Sequence, residues 1–161
     1  MARVITRING RPLRFELQPT TPDLSEPENS AKLEVNVILT TFENAAAALR
    51  AAGNLARRLS ARIRILAPYV VPMQLSVERP PVSTAFLENR LVGLARTCEE
   101  AFEVRADLML CRDARRCILQ ALGPNSVVVL GSKKRWRANR ERRLAKALTS
   151  EGHHVILVES R

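Results

Sequence analysis

Residues 126–132 read Ser-Val-Val-Val-Leu-Gly-Ser, an apolar strand pattern that runs into a Gly-Ser turn. The unbroken Val and Leu run is typical of a strand buried on both faces of a parallel sheet. The next stretch, residues 133–146, carries eight basic residues against one acidic residue, Glu141. It therefore holds most of the net charge of +10 on this chain of 161 residues. Proteins of the α/β class bind phosphates where the carboxyl end of a buried strand leads into the next helix.

Strand patterns and amphipathic helix patterns alternate around this run. The predicted strands are residues 35–40, 62–69, 104–111, 127–130 and 155–158. The predicted helices between them are residues 43–60, 84–102, 114–122 and 139–150. Strands separated by helices cannot be hairpin neighbours, so the sheet is parallel with right-handed crossovers. The pattern predicts an α/β fold, a three-layer α/β/α sandwich around a five-stranded parallel sheet.

The first 31 residues have a different pattern from the rest. Residues 1–17 predict a short β-hairpin, since Asn9-Gly10 is a strong two-residue turn signal. Residues 18–30 are rich in Pro, Ser and acidic side chains, which is typical of a linker. The prediction is therefore an N-terminal hairpin with a linker, residues 1–31, followed by an α/β domain, residues 32–161. The hairpin is interpreted as an appendage or as an arm that packs on a partner subunit.

Composition argues against several classes of protein. No run of 18 apolar residues exists, so we expect no transmembrane helix and no membrane partner. The N-terminus has no apolar core of the kind that secretory signals require, and this predicts a cytoplasmic protein. The strong basic charge indicates an anionic partner, for which a nucleotide, a nucleic acid, a phosphorylated protein and a membrane surface are candidates.

Metal and catalytic motifs are not evident. The cysteines Cys98, Cys111 and Cys117 are odd in number and lack a CxxC spacing, which predicts reduced thiols and no zinc site. His153 and His154 would point to opposite faces of a strand, so they would not share a metal. The sequence contains no Ser-His-Asp set, paired carboxylates or P-loop. We therefore expect no metal and no enzymatic activity.

The order and spacing of the elements from residue 33 to residue 160 resemble the universal stress protein family. The resemblance is most specific in residues 105–122, which look like that family's third strand, tight turn and short third helix. The Val-Val-Val-Leu-Gly-Ser run then stands where the family has a strand ending in Met-Gly-Ser. The resemblance implies a sheet order of 3-2-1-4-5. It also implies a homodimer paired through the last strand, residues 153–159, with His153 and Glu159 at its ends.

The chain departs from both landmarks of the family's ATP-binding branch. That branch ends its first strand in Asp, where this chain has Thr40. The branch then uses three spaced glycines after the fourth strand. Gly131 matches the first, but Lys134 occupies the second position, and no glycine occurs between Gly131 and Gly152. Glycines let backbone N–H groups approach phosphates closely, so we expect no ATP cradle of the family's type and no resident cofactor.

An order of 3-2-1-4-5 would place the ligand crevice between the first and fourth strands, beyond their carboxyl ends. Hydroxyl groups, a glycine and the following basic residues are suited to hold a small anion there. The candidate anion or nucleotide site has seven residues: Thr40, Thr41, Gly131, Ser132, Lys133, Lys134 and Arg135.

The basic run permits three functions. The leading hypothesis is a non-enzymatic, dimeric universal-stress-protein-like module for stress response or signalling, acting on an unidentified protein partner. The first alternative is nucleotide binding, with Lys133, Lys134 and Arg135 replacing the glycine N–H groups. The second is nonspecific nucleic-acid binding by the basic helix. Trp136 in this run is suited either to stack on a base or, as is more common, to pack the loop against the fourth helix. The solvated basic surface of an ordinary protein explains the same run without a ligand.

Overall fold

The structure is a computed structural model that describes residues 3–8, 11–12, 33–98, 102–133 and 140–160. Its strands are β1 (Arg3–Ile8), β2 (Arg11–Pro12), β3 (Glu34–Ile38), β4 (Arg62–Val70), β5 (Val104–Cys111), β6 (Val127–Lys133) and β7 (His154–Ser160). Its helices are α1 (Phe42–Leu59), α2 (Thr84–Arg96), α3 (Ala114–Ala121) and α4 (Arg140–Ser150). None of these helices is long and apolar enough to cross a membrane.

The strands form one sheet in the order β2-β1-β5-β4-β3-β6-β7. All neighbouring pairs are parallel except β1 and β2, which are antiparallel. The α/β class with a parallel sheet is thus confirmed. The predicted sheet of five strands in order 3-2-1-4-5 is wrong as a description of the whole sheet, because six strands are parallel. Numbered along the chain, these six follow the order 1-4-3-2-5-6 and contain the predicted strands as the run β5-β4-β3-β6-β7.

The N-terminal hairpin is not an appendage, and this part of the prediction is also wrong. All six residues of β1 pair with β5, in a register that runs from Arg3 beside Arg105 to Ile8 beside Leu110. Val4 and Ile8 pack against the core on the side of α2. The first arm of the hairpin, β1, thus extends the sheet. It pairs with a row of β5 backbone groups that would otherwise have no strand neighbour.

The sheet separates two apolar cores. The larger core lies between the sheet and α1 with α2, whose apolar residues recur at helical spacing. The smaller core lies between the other face and α3 with α4, where Ile118 and Leu148 are almost fully buried. Along β6, Val129 faces the first core while Val128 and Leu130 face the second. This alternation is the period of two that a strand imposes, and it explains the continuous apolar run.

Candidate functional site

A pocket of about 450 Å³ opens at the carboxyl ends of β3 and β4, between these strands and helices α3 and α4. Its volume falls within the range of roughly 300–1,000 Å³ that small-molecule sites occupy. The lining residues come from four parts of the chain: Leu39, Thr40, Thr41, Pro68, Val70, Ala114, Arg115, Ile118, Arg140, Glu141, Arg143, Leu144 and Ala147. We call this cavity the α3–α4 pocket.

The α3–α4 pocket has an apolar floor and a basic rim. Its floor includes Leu39 and Ile118, which are buried. Its rim carries three exposed arginines, Arg115 from α3 and Arg140 and Arg143 from α4. Of the described lining residues, Glu141 alone is acidic. The rim therefore has a surplus of positive charge beside a surface that would accept an aromatic or aliphatic group.

Two hydroxyl residues stand where β3 passes into α1. The Thr40 Oγ1 is buried and has no hydrogen-bond partner in the part of the chain that the structure describes. A hydroxyl in that state costs about 1–3 kcal/mol unless a ligand or water satisfies it. Thr41 precedes the first residue of α1 in an extended conformation, but its side chain makes no capping hydrogen bond. The first N–H groups of α1 are thus not satisfied by this residue, next to the basic rim.

Gly131 and Ser132 lie in the sheet, away from the pocket lining. The strand β6 does not turn at these residues but continues to Lys133, because Gly131 pairs with Val158 and Ser132 with Glu159 on β7. Gly131 is buried beneath the first turn of α1, where an added Cβ would clash with the backbone of Asn44. The glycine therefore serves the close approach of helix and strand.

Lys133 points to the first turn of α1. Its ammonium group forms an ion pair with the Glu43 carboxylate, and both side chains are more than half exposed. The hydrogen bond from Lys133, together with its charge, lowers the pKa of Glu43 below the ordinary value. Lys134 and Arg135, with Trp136, lie outside the described residues.

The structure brings Thr40 and Thr41 together with three arginines that the site prediction did not include. Arg140 and Arg143 occupy the first turn of α4, where a helix favours anions over cations. This misplaced charge is the sequence signal for them. Arg115 also lies in the first turn of its helix, α3, but its place beside the pocket depends on the packing of distant elements. Arg142, by contrast, forms an ion pair with Glu159 on β7 at 3.0 Å.

The cysteines and histidines lie apart from the pocket. Cys111 and Cys117 are buried in the smaller core, and Cys98 is half-buried. A hydrogen bond with Cys117, reinforced by burial, raises the pKa of the Cys111 thiol. The Nδ1 atom of buried His153 accepts a hydrogen bond from the Ser126 backbone N–H at 3.2 Å. Within the described ranges, no cluster of His, Cys, Asp and Glu has the makings of a metal site.

Comparison with solved structures shows what the arrangement resembles. The fold is similar to that of universal stress proteins. A universal stress protein from Archaeoglobus fulgidus matches with a TM-score of 0.54 and 13% identity, over 79% of this chain and 98% of that one. A structure of the universal stress protein from the same organism in complex with dAMP matches with a TM-score of 0.53 and 13% identity, over 79% of this chain and 97% of that one. A universal stress protein family member from Burkholderia pseudomallei matches with a TM-score of 0.55 and 18% identity, over 82% of this chain and 99% of that one.

These matches concern the fold alone, because their sequence identities are low. No protein-family model matches the sequence, and no curated protein matches it. The resemblance to universal stress proteins inferred from the element order is thus confirmed at the level of fold.

Proposed function

We propose that the α3–α4 pocket binds a nucleotide. The observation that carries the proposal is the combination of an apolar floor with three rim guanidinium groups and an unpartnered Thr40 hydroxyl. The base and sugar would lie on the floor, near Leu39 and Ile118. The phosphates would lie at the rim, where Arg115, Arg140 and Arg143 reach them.

Arginine is well suited to replace a glycine-rich cradle. Its guanidinium forks bind phosphate oxygens in pairs, and these charged hydrogen bonds are about twice as strong as neutral ones. A phosphate beside the first turn of α4 would also turn the unfavourable contact between its arginines and the helix N-terminus into an attraction. The proposed phosphate contacts thus come from side chains.

We also propose that this chain represents a branch of the fold that lacks the glycine motif for phosphate binding. Gly131 is covered by Asn44, so its Cα faces the α1 helix and not an open ligand site. Similar folds include one determined with dAMP, although that ligand belongs to the other protein. Its complex supports a nucleotide as the first ligand to test.

We further propose that the protein acts as a non-enzymatic module in stress response or signalling, in the cytoplasm, and as a homodimer. The support for dimerisation is β7, which is an edge of the described sheet and leaves one row of its backbone groups without a strand neighbour. Ile156 in this strand is 41% exposed. Sedimentation of the wild-type protein should give a dimer, and Ile156→Lys should shift it to monomer. A wild-type monomer would contradict this part of the proposal.

Isothermal titration calorimetry with ATP, ADP and AMP at constant ionic strength tests nucleotide binding. Loss of one guanidinium contact in Arg143→Gln should weaken binding roughly 10- to 100-fold, since hydrogen bonds to charged groups contribute about 1.5–3 kcal/mol. Arg79→Gln is the matched control, because Arg79 is an exposed arginine in the loop after β4. It should leave the affinity unchanged.

Tripolyphosphate separates site binding from simple charge attraction. A nucleotide that uses the apolar floor should bind more tightly than tripolyphosphate, which carries similar negative charge and no base. Equal affinities, or equal losses in Arg143→Gln and Arg79→Gln, would show attraction to a basic surface only. Absence of heat at millimolar nucleotide would overturn the proposal.

A further inference from the structure

A second group of arginines surrounds a buried carboxylate on the α3 face of the sheet. Asp107 in β5 is fully buried. Arg64 on β4, Arg105 on β5 and Arg7 on β1 each approach its side chain. The group, which we call the Asp107 cluster, holds three positive charges and one negative charge.

Arg64 and Arg105 together donate hydrogen bonds to both oxygens of the carboxylate. Arg64 donates to the Asp107 Oδ2 from Nε at 2.9 Å and from Nη2 at 2.6 Å. Its remaining Nη1 donates to the carbonyl oxygen of Ala121 at the end of α3, at 2.9 Å. Arg105 donates from Nε to the Asp107 Oδ1 at 3.1 Å and from Nη2 to the Oδ2 at 3.4 Å. Arg64 is therefore held in a fixed orientation, and the carboxylate is saturated.

Among the described residues, Arg7 is the member of the cluster left without a hydrogen bond. Its Nε lies 3.8 Å from the Asp107 Oδ2, too far for a hydrogen bond, and this buried atom has no other partner. A guanidinium cannot lose its proton in a protein, and the single negative charge of Asp107 is shared among three arginines, so solvent or a further anion must balance the remaining charge. The Nε itself is buried against Asp107, but the side chain as a whole is 23% exposed, so its exposed part is open to a ligand from solution.

We propose that the Asp107 cluster binds a dianionic phosphate group, through Arg7 and Arg105. These two side chains are the more exposed members of the cluster, at 23% and 31%, while Arg64 is only 13% exposed. Two further negative charges would balance the cluster. Asp107 holds Arg105 in place beforehand, and this reduces the entropy that a phosphate must overcome to order the site.

The Asp107 cluster and the α3–α4 pocket are separate sites that lie near opposite ends of helix α3. None of Arg7, Arg64 and Arg105 lines the pocket. The helix α3 contributes Arg115 to the pocket, and its Ala121 carbonyl accepts the Arg64 hydrogen bond at the other end. Phosphate at the cluster is therefore expected to bind independently of whether the pocket accepts a nucleotide.

Titration with inorganic phosphate, with chloride holding the ionic strength constant, tests the second site. The Arg143→Gln protein should retain saturable phosphate binding because its cluster is intact. Adding Arg7→Gln to it should weaken that binding about tenfold or more, the loss expected for one charged hydrogen bond. Adding Arg79→Gln instead should leave it unchanged. Phosphoserine, titrated in parallel, distinguishes a free phosphate from a phosphate ester on a larger ligand by which of the two binds more tightly.

Wild-type protein provides a second readout that does not depend on the folding of a variant. In ¹⁵N spectra, the Arg7 Nε–Hε signal should shift with added phosphate and saturate at the same concentration. A signal that stays fixed, or phosphate affinity that is equal with and without Arg7→Gln, would overturn the second site. ATP binding in the Arg7→Gln protein reports on the α3–α4 pocket separately, so the two proposals can fail independently.

Discussion

The backbone of Asn44 in α1 leaves no room for a side chain at Gly131 in β6. A Cβ at Gly131 would clash with the Asn44 carbonyl group and come within 3.0 Å of the Asn44 Cβ. The helix and the strand thus approach as closely as their backbones permit. This contact positions the first turn of α1 and, with it, Thr40 and Thr41 at the mouth of the α3–α4 pocket.

Gly131→Ala should therefore destabilise the protein by about 1–3 kcal/mol, because the helix backbone must move to accept the methyl group. Urea unfolding measures the loss. Gly93→Ala is the matched control, since a Cβ at Gly93 on α2 has no atom within 4 Å. It should stabilise the helix by about 0.5–1 kcal/mol. Equal effects of the two substitutions would contradict the close helix–strand contact.

The Asp107 cluster gives a second stability prediction. Asp107→Asn removes the negative charge that Arg64 and Arg105 share, so the guanidinium groups remain without an anionic partner. We expect a loss of about 3 kcal/mol, as for other buried ion pairs that lose one partner. Asp113→Asn is the control. Asp113 caps α3 by accepting from the Arg116 N–H, and Asn is an equally good cap. A small loss in Asp107→Asn would contradict the ion-pair network.

The helix and strand patterns could be predicted from the sequence because each depends on nearby residues. The period of the apolar residues locates α1 and β6 without knowledge of the rest of the chain. The partner of β1 could not be predicted in this way. Its pairing with β5 joins Arg3 to Arg105, about a hundred residues apart, and parallel pairing has no turn that marks it in the sequence.

The residues of the candidate site also differ in whether local sequence or the packing of distant elements determines their position. Thr40 and Thr41 follow a strand, and the topological rule for parallel sheets places them at the carboxyl edge, where they line the pocket. Gly131 and Ser132 follow the same rule, but pairing with β7 extends β6 beyond them and carries them into the sheet. Arg115 enters the site from a helix face, which only the packing of α3 determines.

Thr40→Val tests whether the buried hydroxyl serves a ligand. Valine has nearly the same shape, so removing an unpartnered hydroxyl should stabilise the unliganded protein by about 1 kcal/mol. The affinity for nucleotide should fall at the same time, by about tenfold, if the hydroxyl donates to the ligand. Thr41→Val is the control for stability, because the Thr41 side chain makes no capping bond. If Thr40→Val leaves the affinity for nucleotide unchanged, the Thr40 hydroxyl does not contact the ligand.

The cysteines should differ in reactivity toward a thiol reagent at pH 8. Cys98 is half-buried, whereas Cys111 and Cys117 are 3% and 6% exposed. The raised pKa of Cys111 also lowers its thiolate population. The native protein should show one fast thiol, and Cys98→Ser should abolish the fast phase. Cys117→Ser, the control, should retain it, and all three thiols should react in urea. A fast phase that survives Cys98→Ser would contradict the burial of the other two.

The Glu43–Lys133 pair predicts a pH dependence at the start of α1. Lys133 lowers the pKa of Glu43, so the pair stabilises the fold above the ordinary pKa of 4.5 and loses this contribution as the pH falls through the lower, folded value. An NMR titration should place the Glu43 midpoint below 4.5. Lys133→Gln should return the midpoint toward 4.5, and high salt should have the same effect because the pair is exposed. Lys146→Gln, which removes an exposed lysine from α4, should leave it unchanged. A midpoint that does not respond to Lys133→Gln would show that the ion pair does not form in solution.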